Sequence, residues 1–373
     1  MGQTAMSKSD GTGINRNIHG LRGLAALMVF LFHVYDMNAT AGVLHEPPLF
    51  GQIILEMLSG GVELFFMISG YLITGSLIRH GNIRNFLTDR AIRIYPVFLA
   101  LHVPLFIAGP YLGYKWMVGI SLADWVQAFM ANALFLPGIL DLPLLQLNAW
   151  SLSFEAAFYL LSAFIYFLCA RQSSPLRLAI AACLVAGSIL LYPAAIFFLV
   201  GALVFRLLHG QPPRIFQFSG ILFLLALLSL LLLHGVVAAT DTGGRGAVDG
   251  PTIRHLYLLA ALPGFVFFYA LTKGQSICDR VLQTRVAQYL GDISYSFYLI
   301  HPVVMFPLRL IVTKILIGKL GLPVWLCVTF FGVAGLIGTL IAATISYRLL
   351  EKRLAKWLKQ KLHRLPPQAL PAT

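Results

Sequence analysis

Charged side chains are scarce: only 11% of the 373 residues are Asp, Glu, Lys or Arg, against about 25% in a soluble domain. Acids are scarcest, 14 against 27 Lys and Arg. With 58% hydrophobic residues and 27 Phe, the mean hydropathy is +0.82. Such a chain cannot cover its apolar surface in water, which excludes a soluble enzyme, a disordered regulator and a secreted disulfide module. The four cysteines, Cys169, Cys183, Cys278 and Cys327, form no CxxC pair and have no His at metal spacing. They read as membrane-packed thiols, with neither a disulfide framework nor a metal site. The composition is that of a multi-pass membrane protein. Its surplus of +13 follows from the bias of Lys and Arg toward cytoplasmic loops and does not call for nucleic acid.

A ~20-residue window for a ~30 Å hydrocarbon core gives ten spans, at residues 20–38, 54–78, 94–111, 149–170, 177–191, 194–209, 215–236, 254–272, 291–312 and 322–349. The first carries Arg22 and His33 and has no clear cleavage site, so it reads as a retained helix and not a signal peptide. The stretch 122–140, with Gln127, Asn132 and a Pro137-Gly138 break, reads as a re-entrant or interfacial helix. With the N-terminus inside, 21 of the 27 Lys and Arg fall on cytoplasmic segments, so both termini are expected in the cytoplasm. The fold expected is an all-α integral membrane bundle of about ten helices, in three parts: a cytoplasmic segment 1–17, a membrane domain 18–350, and a basic helix and disordered tail 351–373. The basic run 348–364 is expected to lie along the anionic inner leaflet. The loop 237–253 is Gly-rich and expected to be flexible.

Ionisable residues inside a span are costly and ask for a reason. Arg22 and His33 are eleven residues apart, which brings their side chains to within about 20° of one helix face and ~16 Å apart along the axis. Glu63 enters from the outer end of the second span, Glu155 from the outer end of the fourth, and His301 lies inside the ninth. Facing lipid separately they would be far costlier than in one polar cavity, so convergence is expected, with an ion-pair network holding the bundle as the alternative. On the cytoplasmic side Arg90 and Arg93 are three apart, neighbours on one face if the segment is helical. Paired guanidinium forks suit phosphate, although positive-inside topology alone also yields an R-x-x-R. Gly60-Gly61 and Gly70 read as sites of close helix packing.

The segments carrying these residues are NIHGLRGLAALMVFLFHV, GGVELFFMISGYLITGSL, FLTDRAIRIYPVF, NAWSLSFEAAFYL, GDISYSFYLIHPVV and SYRLLEKRLAKWL. In that order they resemble the acyltransferase 3 family of membrane enzymes, which includes O-antigen and exopolysaccharide O-acetyltransferases and nodulation-factor acetylases. The resemblance spans about residues 18–358. It implies a ten-helix fold in the inner (plasma) membrane that moves an acyl group, most simply acetyl, from cytosolic acyl-CoA to a hydroxyl of a cell-surface or exported carbohydrate. No permanently bound cofactor is implied. It also implies that His33 is the catalytic group and that Arg22, Arg90 and Arg93 serve the donor, with Glu63, Glu155 and His301 in a supporting polar cavity. Partners would be acyl-CoA, a polysaccharide or lipid-linked sugar, membrane lipids and polysaccharide assembly proteins. Many relatives add a periplasmic hydrolase-like domain. None follows here before Thr373, so the membrane domain is expected to complete the transfer or hand over to a partner. His33 either deprotonates the acceptor hydroxyl or itself takes the acyl group, and Glu155 or Glu63 would orient its ring. The rival function is a transporter or flippase of lipid-linked sugars, which would also use a midplane cavity.

Overall fold

The computed structural model describes residues 15–170, 174–208, 220–240, 251–273 and 278–363, and among these the regular elements are all helical. The expectations for the N-terminal segment before Asn15, for most of the Gly-rich loop and for the tail beyond His363 lie outside the described residues. The helices are α1 (Arg16–Ala39), α2 (Leu49–Ser59), α3 (Gly61–His80), α4 (Ile83–Ala108), α5 (Leu122–Ala133), α6 (Ala149–Ala170) and α7 (Pro175–Leu191). They continue as α8 (Ile196–Leu208), α9 (Gly220–Thr240), α10 (Pro251–Lys273), α11 (Asp279–Leu282), α12 (Arg285–Ile311), α13 (Val324–Ser346) and α14 (Ala355–His363).

Among the described residues, six helical stretches are long and apolar enough to cross a membrane: Arg16–Ala39, Leu49–His80, Ile83–Ala108, Ala149–Cys169, Arg285–Ile317 and Val324–Leu362. Four shorter apolar helices, Pro175–Leu191, Pro193–Leu207, Leu224–Ala238 and Tyr257–Lys273, coincide with the four middle spans expected from hydropathy. Leu31, Leu160, Phe167, Leu262 and Ile337 are exposed on the outside of the bundle. In water they would make adhesive patches, whereas lipid is their ordinary solvent. Phe30, Phe86, Phe98, Phe197 and Phe198 fill the interior, each buried almost completely.

Several boundaries move from the sequence reading, each for a local reason. The expected span 54–78 is two helices, because the chain ends α2 at Ser59 and restarts α3 at Gly61. Helix α4 begins at Ile83, eleven residues before the apolar run, because Asn82 caps it through the Arg84 and Asn85 amides. Arg90 and Arg93 therefore stand on the helix itself. The segment 122–140 forms only the 12-residue α5, ~18 Å long and too short to span. Asn132 ends this segment's apolar run by donating to the Ala128 and Pro143 carbonyls at 2.9 and 2.8 Å and accepting from the Leu145 amide at 3.0 Å. The basic run does not start a separate surface helix. Helix α13 continues through a π-helical stretch, Tyr347–Leu354, into α14, and Lys359 on α14 pairs with Asp89 of α4 at 3.1 Å.

Two close helix approaches hold the site in place. A Cβ on Gly23 of α1 would lie 2.6 Å from the Gly291 amide nitrogen of α12, and a Cβ on Gly70 of α3 would collide with the Phe198 carbonyl of α8. Only a glycine lets the backbones come so near.

Candidate active site

The contact between α1 and α12 brings His33 against His301. Their rings meet edge to edge, with His33 Nδ1 and His301 Nε2 2.8 Å apart. The proton between them can be placed by elimination. His301 Nδ1 lies 3.1 Å from the Phe297 carbonyl, which can only accept, so Nδ1 carries a proton. In the neutral ring Nε2 then holds a lone pair, and His33 Nδ1 donates to it. The Asn148 amide agrees. Its Nδ2 donates to the Tyr298 carbonyl at 2.7 Å and stands 3.4 Å from His301 Nε2, again a donor facing that nitrogen. Neutral His33 is thereby fixed with its proton on Nδ1 and its basic lone pair on Nε2. Pro302 explains why Asn148 is there. Proline has no N–H, so the carbonyl four residues earlier, that of Tyr298, has no helical donor, and the Asn148 side chain takes its place.

His33 lines a cavity of about 300 Å³ together with Glu56, Ser59, Glu63, Asn148, Trp150, His234, Tyr257 and Tyr298. Glu63 does face this cavity, but the ring it accompanies is that of His234: Glu63 Oε1 lies 3.1 Å from His234 Nδ1. On the other edge of that ring, His234 Nε2 is 2.8 Å from Ser59 Oγ. Neither His234 nor Ser59 was singled out from the sequence. His234 had a usable signal, since it is an ionisable residue in the apolar run LLLLHGVV. Ser59 had none.

Glu155 belongs elsewhere. It accepts from Tyr159 Oη at 2.5 Å and from Ser69 Oγ at 3.2 Å, and it lines a second cavity of about 60 Å³ with Arg22, Arg90, Arg93, Tyr295 and Tyr298. The expected single chamber is thus two. Val62 and Tyr298 line both and form the wall between them. His301 lines neither and stands behind His33, fully buried. His33 is therefore oriented by His301, where the sequence reading had expected Glu63 or Glu155.

The second cavity is strongly basic. Arg22 lies in the field of Arg93, opposed by the charges of Glu351 and Glu155. Arg90 donates to Ser76 Oγ at 3.1 Å, and its guanidinium stands 5.8 Å from the Phe86 ring and 5.9 Å from the Tyr159 ring. Glu351, expected in the cytoplasmic basic helix, turns inward and accepts from Ser296 Oγ at 2.6 Å. Three guanidiniums facing two carboxylates leave a surplus of positive charge suited to an anionic ligand. A third, largely apolar cavity of about 840 Å³, lined by residues of α3, α6, α7 and α8 with Arg206 among them, shares Phe154, Leu191 and Tyr192 with the histidine cavity.

The helical bundle, its buried histidine pair and its basic chamber are those of a multi-pass membrane enzyme. Residues 15–346 match the acyltransferase domain family, and the chain belongs to it as an O-acyltransferase of the acyltransferase 3 type. Nodulation protein 10 of Rhizobium leguminosarum bv. viciae is 25% identical over 376 residues, covering 93% of this chain and 95% of the relative. The O-acetyl transferase of Shigella phage Sf6 is 40% identical over 79 residues, 21% of this chain and 22% of the relative. No solved structure matches the chain.

Proposed function

We propose that this enzyme transfers an acetyl group from cytosolic acetyl-CoA to a hydroxyl of a lipid-linked or exported carbohydrate. On this reading it crosses the plasma membrane (the inner membrane, in a cell with two) ten times, with both termini in the cytoplasm. The observation that carries the proposal is the pairing of a basic chamber with a proton-acceptor histidine across a wall made of two side chains, Val62 and Tyr298. Arg90, Arg93 and Arg22 would hold the donor's phosphates, with the pantetheine arm reaching Tyr298. Sixty cubic ångströms accommodates only a few water-sized groups, so the donor must displace side chains there as it enters. Once the thioester reaches the wall, His33 Nε2 takes the proton of the attacking hydroxyl, the C–S bond breaks, and the proton returns to the departing thiolate.

The acceptor would occupy the histidine cavity. Its continuity with the apolar chamber at Phe154, Leu191 and Tyr192 supports a sugar carried on a lipid, with the tail in the apolar chamber and the head beside His33. Family membership favours transfer over the transporter alternative. The test is acyl transfer and acetyl-CoA binding by purified variants in detergent. His33→Ala and His33→Gln should both abolish transfer and keep donor binding, because Gln preserves hydrogen bonding but cannot take a proton near neutral pH. Near-normal transfer by His33→Gln would reduce His33 to a structural residue.

A further inference from the structure

A single-step transfer needs one base, and the histidine cavity holds two. The second belongs to Ser59, His234 and Glu63, whose order and spacing are those of a nucleophile, a base and an orienting acid. Glu63 Oε1 lies 3.1 Å from His234 Nδ1, out of line for a hydrogen bond, but its charge favours a proton on that nitrogen, which leaves the lone pair on Nε2, 2.8 Å from Ser59 Oγ. Glu63 and His234 are both buried, at 4% and 7% exposure, while Ser59 is only half-buried and opens into the cavity. The hydroxyl also reaches the Glu56 backbone carbonyl at 2.8 Å and Glu56 Oε2 at 3.2 Å, so its proton has three acceptors within reach, His234 Nε2 among them. Ser59 is the last residue of α2, just before the Gly60 break, and α9 packs on α2 to deliver His234. The three residues come from three helices, and Ser59 and His234 meet across 175 positions of sequence.

We infer that Ser59 is a covalent acyl carrier, loaded from the thioester with His234 as base and unloaded onto the acceptor with His33 as base. The inference rests on the acyl-CoA reading above. In the first step Ser59 Oγ gives its proton to His234 Nε2 and bonds to the acyl carbon. The C–S bond breaks, and the proton passes from His234 to the leaving thiolate. In the second step the acceptor hydroxyl gives its proton to His33 Nε2 and bonds to the acyl carbon. The ester C–O bond to Ser59 breaks, and the proton returns to Ser59 Oγ. Each step closes in atoms and protons, and the two histidines have separate work.

The experiment is to incubate purified enzyme with isotopically labelled acetyl-CoA, without acceptor, and locate the label by peptide mass spectrometry. Label should appear on Ser59 to the same extent in the parent and in His33→Gln, because loading uses His234 and unloading needs an acceptor that is absent. It should be absent from Ser59→Ala and His234→Gln, and Ser59→Cys should carry it as a thioester. Parental transfer by Ser59→Ala, or label on His33 instead, overturns the carrier and leaves the donor reading intact. If the parent neither binds nor consumes acetyl-CoA, the donor reading fails and the carrier falls with it.

Discussion

His301 touches neither cavity, yet the proton placement at His33 depends on it, which makes it the most telling residue to change. His301→Leu fills the fully buried position with an apolar side chain and removes the acceptor that holds His33 Nδ1–H at 2.8 Å. A buried N–H left without its partner costs about 1–3 kcal/mol. The ring can recover this only by rotating or by moving its proton to Nε2, and either change removes the base. If that cost is spent in reaching the active arrangement, kcat falls roughly fivefold to 150-fold. His301→Gln should recover most of the loss, because an amide can accept from His33 and donate to the Phe297 carbonyl as the ring does. The assay is steady-state transfer by the two variants, with thermal unfolding in detergent as the control for integrity. The KM for acetyl-CoA should not move in either. A Leu variant with parental kcat, or a change confined to donor KM, would refute the tautomer argument.

Two further outcomes test the donor chamber and the orientation. Replacing Arg90 and Arg93 together by Ala should weaken acetyl-CoA binding by well over tenfold in calorimetry, since each lost charged hydrogen bond is worth about 1.5–3 kcal/mol. Unchanged binding by the folded double variant would leave the pair as a topological signal only. A cysteine placed at Arg84 should react with an impermeant thiol reagent only from the cytoplasmic side, and one at the exposed Tyr111 only from outside. Labelling of position 84 from outside would invert the proposed topology.

Composition alone disclosed the helical class, because an all-helical bundle is one of the few ways to satisfy every backbone group in lipid. Hydropathy located the long spans, and where it erred the reason was a local cap or break that carries no hydropathy signal, such as Asn82 starting α4 early or Gly60 dividing α2 from α3. The site was legible residue by residue but not pair by pair. The spans put His33, Glu63, Glu155 and His301 inside the membrane, but position along a helix says nothing about azimuth. Azimuth is fixed by which helices touch. Glu63 points to α9 and so meets His234; Glu155 points to α3 and Tyr159 and so joins the arginines. The His-Pro dipeptide at 301–302 was a readable clue left unused, since a proline frees one carbonyl and something polar must answer it. Asn148 does so.

The division into two chambers bears on which acyl group can be moved. On the proposed route the nucleotide end of the donor stays with the arginines and the acceptor stays with the histidines, so only the acyl group passes Val62 and Tyr298. Tyr298 is held in place by its hydroxyl, 2.8 Å from Ser151 Oγ, and by an edge contact with Phe65 at 5.4 Å. Swinging it aside would sacrifice a buried hydrogen bond and an aromatic contact, together about 1–3 kcal/mol. A two-carbon acyl group needs little more than the gap beside that ring. A long chain would need the ring displaced throughout the reaction and an apolar bed beyond it. The apolar chamber that could serve as that bed meets the histidine cavity at Phe154, Leu191 and Tyr192 and shares no lining residue with the arginine cavity. That places it on the acceptor's side of the wall, where it suits the tail of a lipid-borne sugar better than the tail of a donor.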